Sequence, residues 1–222
     1  MLRVLCFSDL HRDREAASRL VEHAKRVDLV VGAGDFANRR VGAEDTLEIL
    51  RRIDRPAVLV CGNGESETEL AEAARTWPSA SVLHGQTKSL AIESATLTLY
   101  GLGGGIPVTP FGDWSYDLGE DQAASMLADA PERAFWVTHS PPLDTVDHDR
   151  SGRIRGSRAI REAMMDKSPR VLVCGHIHSD WGKHVRVADT LVVNAGPTGV
   201  ILQRDDQDQW NLLTESTDGS AV

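Results

Sequence analysis

In the first third of the sequence, three short β-branched runs alternate with three stretches of helical periodicity. The runs are RVLCFS (3–8), DLVVGAGD (28–35) and AVLVCGN (57–63). Between and after them, REAASRLVEHAKR (14–26), AEDTLEILRRI (43–53) and ETELAEAARTW (67–77) carry apolar residues at helical spacing, and Pro78 stops the last. Strands joined by helix-length crossovers lie parallel, because tight hairpins only reverse the chain. The expected class is α/β, built on a parallel sheet.

The remainder reads as mixed. SLAIES (89–94) and TLTLYGLGG (96–104) are paired strands around a tight turn, followed by a Gly/Pro-rich loop, GGGIPVTPFGDW (103–114). A helix is expected near 120–128, a strand at AFWVTH (134–139), a helix starting near Ser157, a strand at VLVCGH (171–176), and short strands at 184–187, 190–194, 198–203 and 209–213. No internal repeat or low-complexity linker interrupts the 222 residues. One domain over 1–214 is the economical reading, with a polar tail over 215–222 expected to fray.

Composition narrows the class of partner. No apolar run approaches the ~20 residues that span a bilayer, so no membrane partner is expected. The N-terminus meets Asp9 early and offers no small-residue cleavage site, which reads as a cytoplasmic protein. The formal net charge of −9 repels polyanions and makes extended nucleic acid a poor partner, while a small phosphorylated ligand is compatible if cations are held in a site. Cys6, Cys61 and Cys174 each lie in or at the end of a β-run and read as small buried hydrophobes rather than metal thiolates. Oligomeric state is not legible, a homo-oligomer included.

The polar residues fall in a pattern. RVLCFS runs into Asp9-Leu10-His11, DLVVGAG into Asp35, AVLVCG into Asn63, AFWVT into His139, and VLVCG into His176-Ile177-His178. In α/β sheets the carboxyl ends of strands form the rim where ligands bind. The D-x-H and H-x-H spacings place alternate strand residues on one face, so each pair is expected to address one site. Two Asp, one Asn and four His are oxygen and nitrogen ligands, too many for one tetrahedral zinc and suited to two divalent cations sharing a carboxylate. Singly, each has a bland alternative as a cap or turn residue, Asn63 in GNG above all. Together at five strand ends, with four histidines among them, they are hard to explain as caps.

SDLH (8–11), GAGDF (32–36), CGNG (61–64), THSPP (138–142) and GHIHS (175–179) resemble, in order, the motifs of the calcineurin-like metallophosphoesterases, and in particular the small predicted phosphoesterases related to the Icc phosphodiesterases. The resemblance covers residues 2–202. It implies a four-layer α/β/β/α sandwich, two packed mixed β-sheets flanked by helices. It implies one metal held by Asp9, His11, Asp35 and His178 and a second held by Asp35, Asn63, His139 and His176, with Asp35 bridging. Manganese is the expected ion, with iron, zinc or magnesium as alternatives. Asp35, Asn63 and His139 are the expected catalytic residues, and the family reaction is attack of a metal-bridging hydroxide on phosphorus.

Gly64 departs from the family's GNH turn, whose histidine assists the phosphoryl group or leaving oxygen. His148, His84 and His23 are candidate replacements, with His148 best placed. Glu65 is another, although a surface role is the stronger expectation for it. Arg153 and Arg155 precede a helix capped by Ser157 and are candidate substrate contacts together with His148, whereas Arg158 and Arg161 read as a solvated helix face. GLGGG (101–105) lacks a following helix and is a poor dinucleotide fingerprint. Trp114 or Phe111, on a mobile flap near the site, offers an aromatic surface for a base, with core or surface packing of both as the bland alternative. The expected function is a dinuclear metal-dependent phosphodiesterase acting on a small nucleotide-like ester. The alternative is a metal-retaining nucleotide- or phosphate-binding protein with little catalysis.

Overall fold

The computed structural model describes residues 1–92 and 95–213. The tail over 215–222 and the last two positions of the 89–94 run lie outside the described residues. Twelve described strands form two six-stranded sheets. In the first, β1 (Leu2–Phe7), β2 (Leu29–Ala33), β3 (Ala57–Val60) and β4 (Ala80–Val82) run parallel, linked by α1 (Arg14–His23), α2 (Ala43–Leu50) and α3 (Glu67–Ala74). The second contains β5 (Gln86–Ile92), β6 (Ala95–Leu102), β7 (Phe135–Thr138), β8 (Val171–Cys174), β9 (His184–Val187) and β10 (Thr190–Asn194), in the order β5-β6-β7-β8-β10-β9. Its helices are α4 (Glu120–Leu127) and α5 (Arg158–Lys167). The chain then returns to the first sheet with β11 (Val200–Arg204), antiparallel to β1, and β12 (Trp210–Leu212).

Side-chain alternation along the strands builds the layers. Val4 and Cys6 of β1, Val31 of β2 and Val58 and Val60 of β3 meet Leu97 and Leu99 of β6, Val137 of β7 and Val171 and Val173 of β8 between the sheets. Leu5, Phe7, Leu59 and Cys61 face the other way, onto α1–α3. Trp136, Leu172 and Cys174 face α4 and α5. The central strands are therefore covered on both sides and read as continuous apolar runs. All three cysteines are free and buried.

Local signals explain most boundaries. Asp13 caps α1 by accepting from the N–H groups of Glu15 and Ala16. Ser66 and Glu69 form a capping box at α3, and Ser157 caps α5 by accepting from Ile160. The helices end earlier than the periodicity implies: α3 stops at Ala74 rather than residue 77, and α1 tightens into a 3₁₀ turn over Ala24–Arg26. β4 escaped the sequence reading because ASV is three residues long, half-buried and directly behind Pro78.

Candidate metal centre

All seven candidate ligands lie just beyond strand ends, and both sheets contribute. β1, β2 and β3 lead to Asp9 and His11, Asp35 and Asn63, while β7 and β8 lead to His139, His176 and His178. The strand-alternation argument for D-x-H and H-x-H does not hold. β1 stops at Phe7 and β8 at Cys174, and the pairs sit on tight turns with Asp9 (φ 55°), His11 (φ 44°) and His176 (φ 67°) left-handed. Asp35 is left-handed too, at φ 60°. Such backbone costs a non-glycine residue about 1–2 kcal/mol and concentrates at functional sites. Tertiary bonds hold it: Asp9 N–H donates to Gly34 O, His11 N–H to Asp35 O, and His176 N–H to the Asp9 carboxylate.

Glu65 organises the turn. It is buried, contrary to the expected surface role, and accepts from the N–H groups of Asp35 (2.9 Å), Ala37 (2.8 Å) and Gly62 (2.7 Å). Its two oxygens thereby satisfy three converging buried N–H donors, Oε1 those of Asp35 and Gly62 and Oε2 that of Ala37. Burial and the Asp35 carboxylate push Glu65 up to about 7, against the pull of those donors. Gly34, at φ 89°, lets the Asp35 and Asn63 turns nest against His139, where a β-carbon would strike the imidazole.

The side chains converge closely. The Nε2 atoms of His11 and His178 are 3.2 Å apart, and Asp35 reaches His11 at 3.4 Å through Oδ2 and His139 at 3.5 Å through Oδ1. The potential ligand atoms of Asp9, His11 and His178 lie within 4.8 Å of one another, as do those of Asp9, Asp35 and His139. The outer contacts fix which atoms point inward. His139 Nδ1 donates to the Ala33 carbonyl (2.8 Å) and His11 Nδ1 to the Ala37 carbonyl (3.3 Å), which leaves their Nε2 lone pairs facing the centre. Asn63 donates through Nδ2 to Ser115, so its Oδ1 points in and lies 3.2 Å from His139 Nε2 and 3.1 Å from His176 Nδ1.

This is a nest of acceptors short of positive charge. Burial works against charging His139, yet Asp35, Asp9 and the Ala33 carbonyl together raise its proton affinity above the ordinary value. His176 is pushed down to about 3 by burial and by neighbouring His139, and partial burial also lowers His178, so both rings stay neutral. Neutral imidazoles, carboxylates and an amide oxygen fit borderline-hard divalent cations.

Outer contacts that the sequence reading missed steady the same groups. The Trp181 indole donates to Asp9 Oδ2 (3.1 Å), and its ring lies 4.4 Å from that of His178. Ser8 also donates to Asp9 Oδ2, and Asn194 Nδ2 donates to the carbonyls of Gly175 and Ile177. Such partners orient ligands and raise their basicity. A cleft of about 540 Å³ opens over the cluster. Arg155 lines it, paired with Asp149 at 2.9 Å. Arg153 and His148 are exposed and are not among its lining residues, nor are His84 and His23. His84 instead packs beside Tyr116 near Cys61. Among the described residues no helix is long and apolar enough to cross a membrane.

Comparison with solved structures gives the same architecture. TT1561 of Thermus thermophilus superposes with a TM-score of 0.73 at 17% identity, covering 96% of this chain and 98% of that one. The phosphopantetheinyl hydrolase PptH from Mycobacterium tuberculosis matches with a TM-score of 0.59 at 10% identity over 99% and 98%. An archaeal phosphodiesterase matches with a TM-score of 0.54 at 16% identity over 96% and 99%. At these identities the likeness is one of fold. No curated protein sequence gives a significant match. The sequence profile described as the calcineurin-like phosphoesterase superfamily domain matches residues 2–218, and with the two-sheet fold it places this chain in that superfamily of metal-dependent phosphoesterases.

Proposed function

We propose that the protein is a hydrolase of small phosphate esters, a phosphodiesterase in preference to a monoesterase, working with two divalent cations. Asp9, His11, Asp35 and His178 would hold one and Asp35, Asn63, His139 and His176 the other. The observation that carries the reading is the inward-facing set of lone pairs at His11, His139 and Asn63, each fixed by an outward hydrogen bond. When bound, such cations activate water and neutralise charge on the phosphoryl oxygens. The chain's own part is to hold Asp35 between His11 and His139, to keep His176 and His178 unprotonated, and to shape the cleft for the ester. Purified protein is expected to take up close to two manganese ions per chain and to hydrolyse bis(4-nitrophenyl) phosphate only when manganese is present. Elemental analysis and a chromogenic assay check this, and failure to bind metal would overturn it.

Gly64 supports the alternative of a binding protein with little turnover, since no side chain stands there to assist a leaving oxygen. Its backbone is not left-handed, so glycine is not required by φ. A β-carbon would come within 3.1 Å of the Ala37 carbonyl and the Asp35 carboxylate, a fit that asks for a small displacement. Gly64→His is therefore expected to fold and to raise turnover of alkyl esters on the order of 10²-fold, the scale of general-acid help. Nitrophenyl esters, whose leaving group needs no proton, should gain little. Equal effects on both esters would remove position 64 from leaving-group chemistry.

A further inference from the structure

One wall of the cleft is unlike its floor. The floor is polar, with His11, Asp35, Asn63 and His176. The wall is Pro107, Val108, Pro110, Phe111 and Trp114, all from the loop between β6 and α4. Val108 is 66% and Phe111 50% exposed, so large apolar surface stands open beside a charged centre. The rings of Phe111 and Trp114 lie nearly parallel, at 13° with centroids 5.4 Å apart. Arg39, which also lines the cleft, places its guanidinium 5.4 Å from the Trp114 centroid.

The loop is tied to the centre. Thr109 donates to Asp117 through both N–H and hydroxyl, and Ser115 donates to the same carboxylate. Tyr116 N–H donates to the Asn63 carbonyl, and Asn63 Nδ2 donates to Ser115. The wall is thus fixed to Asn63, whose Oδ1 faces the ligand cluster. The one hydroxyl on the wall, Thr109, is already engaged with Asp117, so Pro107, Val108, Pro110 and the ring faces of Phe111 and Trp114 present mainly apolar surface.

We propose that this wall is a subsite for a planar, apolar ring carried by the phosphate ester, seated against Phe111 and Trp114 while the phosphate lies over the floor. The assignment rests on the phosphoesterase reading and adds the class of organic group. Flat aromatic faces favour a ring over an alkyl chain of similar size, through offset stacking.

Manganese-loaded protein titrated calorimetrically with methyl-, hexyl- and phenylphosphonate tests it. Phenylphosphonate is expected to bind about tenfold more tightly than methylphosphonate, and more tightly than hexylphosphonate. Phe111→Ala and Trp114→Ala should each remove most of that advantage, with metal content unchanged. Phe111 is exposed, so its variant folds even if that of Trp114 does not. Equal binding of the methyl and phenyl compounds, a hexyl compound as tight as the phenyl, or variants that keep the preference would overturn the subsite. Metal content, read by elemental analysis on the same samples, separates this from failure of the phosphoesterase reading. Protein that holds no manganese, or holds it and binds none of the three, overturns both.

Discussion

Asp35→Ala is expected to empty both halves of the centre and to lower phosphodiester turnover on the order of 10³-fold, the scale of losing a major electrostatic element of a site. Its two oxygens face different histidines, Oδ2 toward His11 and Oδ1 toward His139, so it addresses both sides; Asp9 also belongs to both ligand clusters, but its Oδ2 is engaged by Ser8 and Trp181. Oδ1 also accepts from Gly64 N–H at 2.7 Å, so alanine leaves a buried donor unpaired at about 1–3 kcal/mol. Asp35→Asn separates the two effects, because an amide oxygen can still accept that bond while the charge is gone. Equilibrium dialysis with manganese should show near-complete loss in the alanine variant and weakened uptake in the asparagine variant. Undiminished loading in both would refute the shared role.

The second large effect concerns stability. Glu65→Ala leaves three buried N–H groups, of Asp35, Ala37 and Gly62, without an acceptor. At about 1–3 kcal/mol each, the sum rivals the ~5–15 kcal/mol that holds an ordinary domain together. The variant is expected to be insoluble or to melt at least ~10 °C lower. Glu65→Gln should be intermediate: one oxygen can serve Asp35 and Gly62, but the amide NH₂ then confronts Ala37 N–H. Thermal melts of the two variants, ordered Ala below Gln below wild type, check the assignment. A Glu65→Ala protein melting like the wild type would mean that water satisfies those donors and that the carboxylate is dispensable.

What the sequence disclosed and what it withheld have separate physical causes. The strand runs were legible because both faces of the central strands are buried, which writes an apolar run between turn formers. The polar residue after each run was legible by contrast: Asp9, Asp35, Asn63 and His139 are as buried as the strands they follow, and a buried polar side chain stands out at the end of an apolar run. The local conformation of those residues was not. Asp9, His11, Asp35 and His176 are left-handed because bonds from distant loops hold them there, and neither Asp nor His announces that state in a sequence. Glu65 was misread because glutamate is rarely buried without partners. Two of its partners are backbone groups on the β2 loop, a segment the local sequence does not display. Arg155 reached the cleft while Arg153, two residues away, did not. That choice depends on the bend around Asp149, which takes the N–H of Arg153 and the guanidinium of Arg155 on its two oxygens.

The pairing of β1 with β11 has a consequence for how the chain reaches this state. β1 is an interior strand, hydrogen-bonded to β2 on one side and, from Leu2↔Arg204 to Cys6↔Val200, to a strand from the other end of the sequence. During synthesis, the strand that leads into Asp9 keeps one edge open until β11, Val200–Arg204, has left the ribosome. Contacts between such distant segments form late, because loop closure precedes any reward. Until then the unpaired edge of β1 is a template for other chains. A nascent chain stalled before β11 should therefore carry the parallel βα units of the first sheet in place and remain sticky along β1, so yield in expression depends on how quickly the last strands arrive to close that edge.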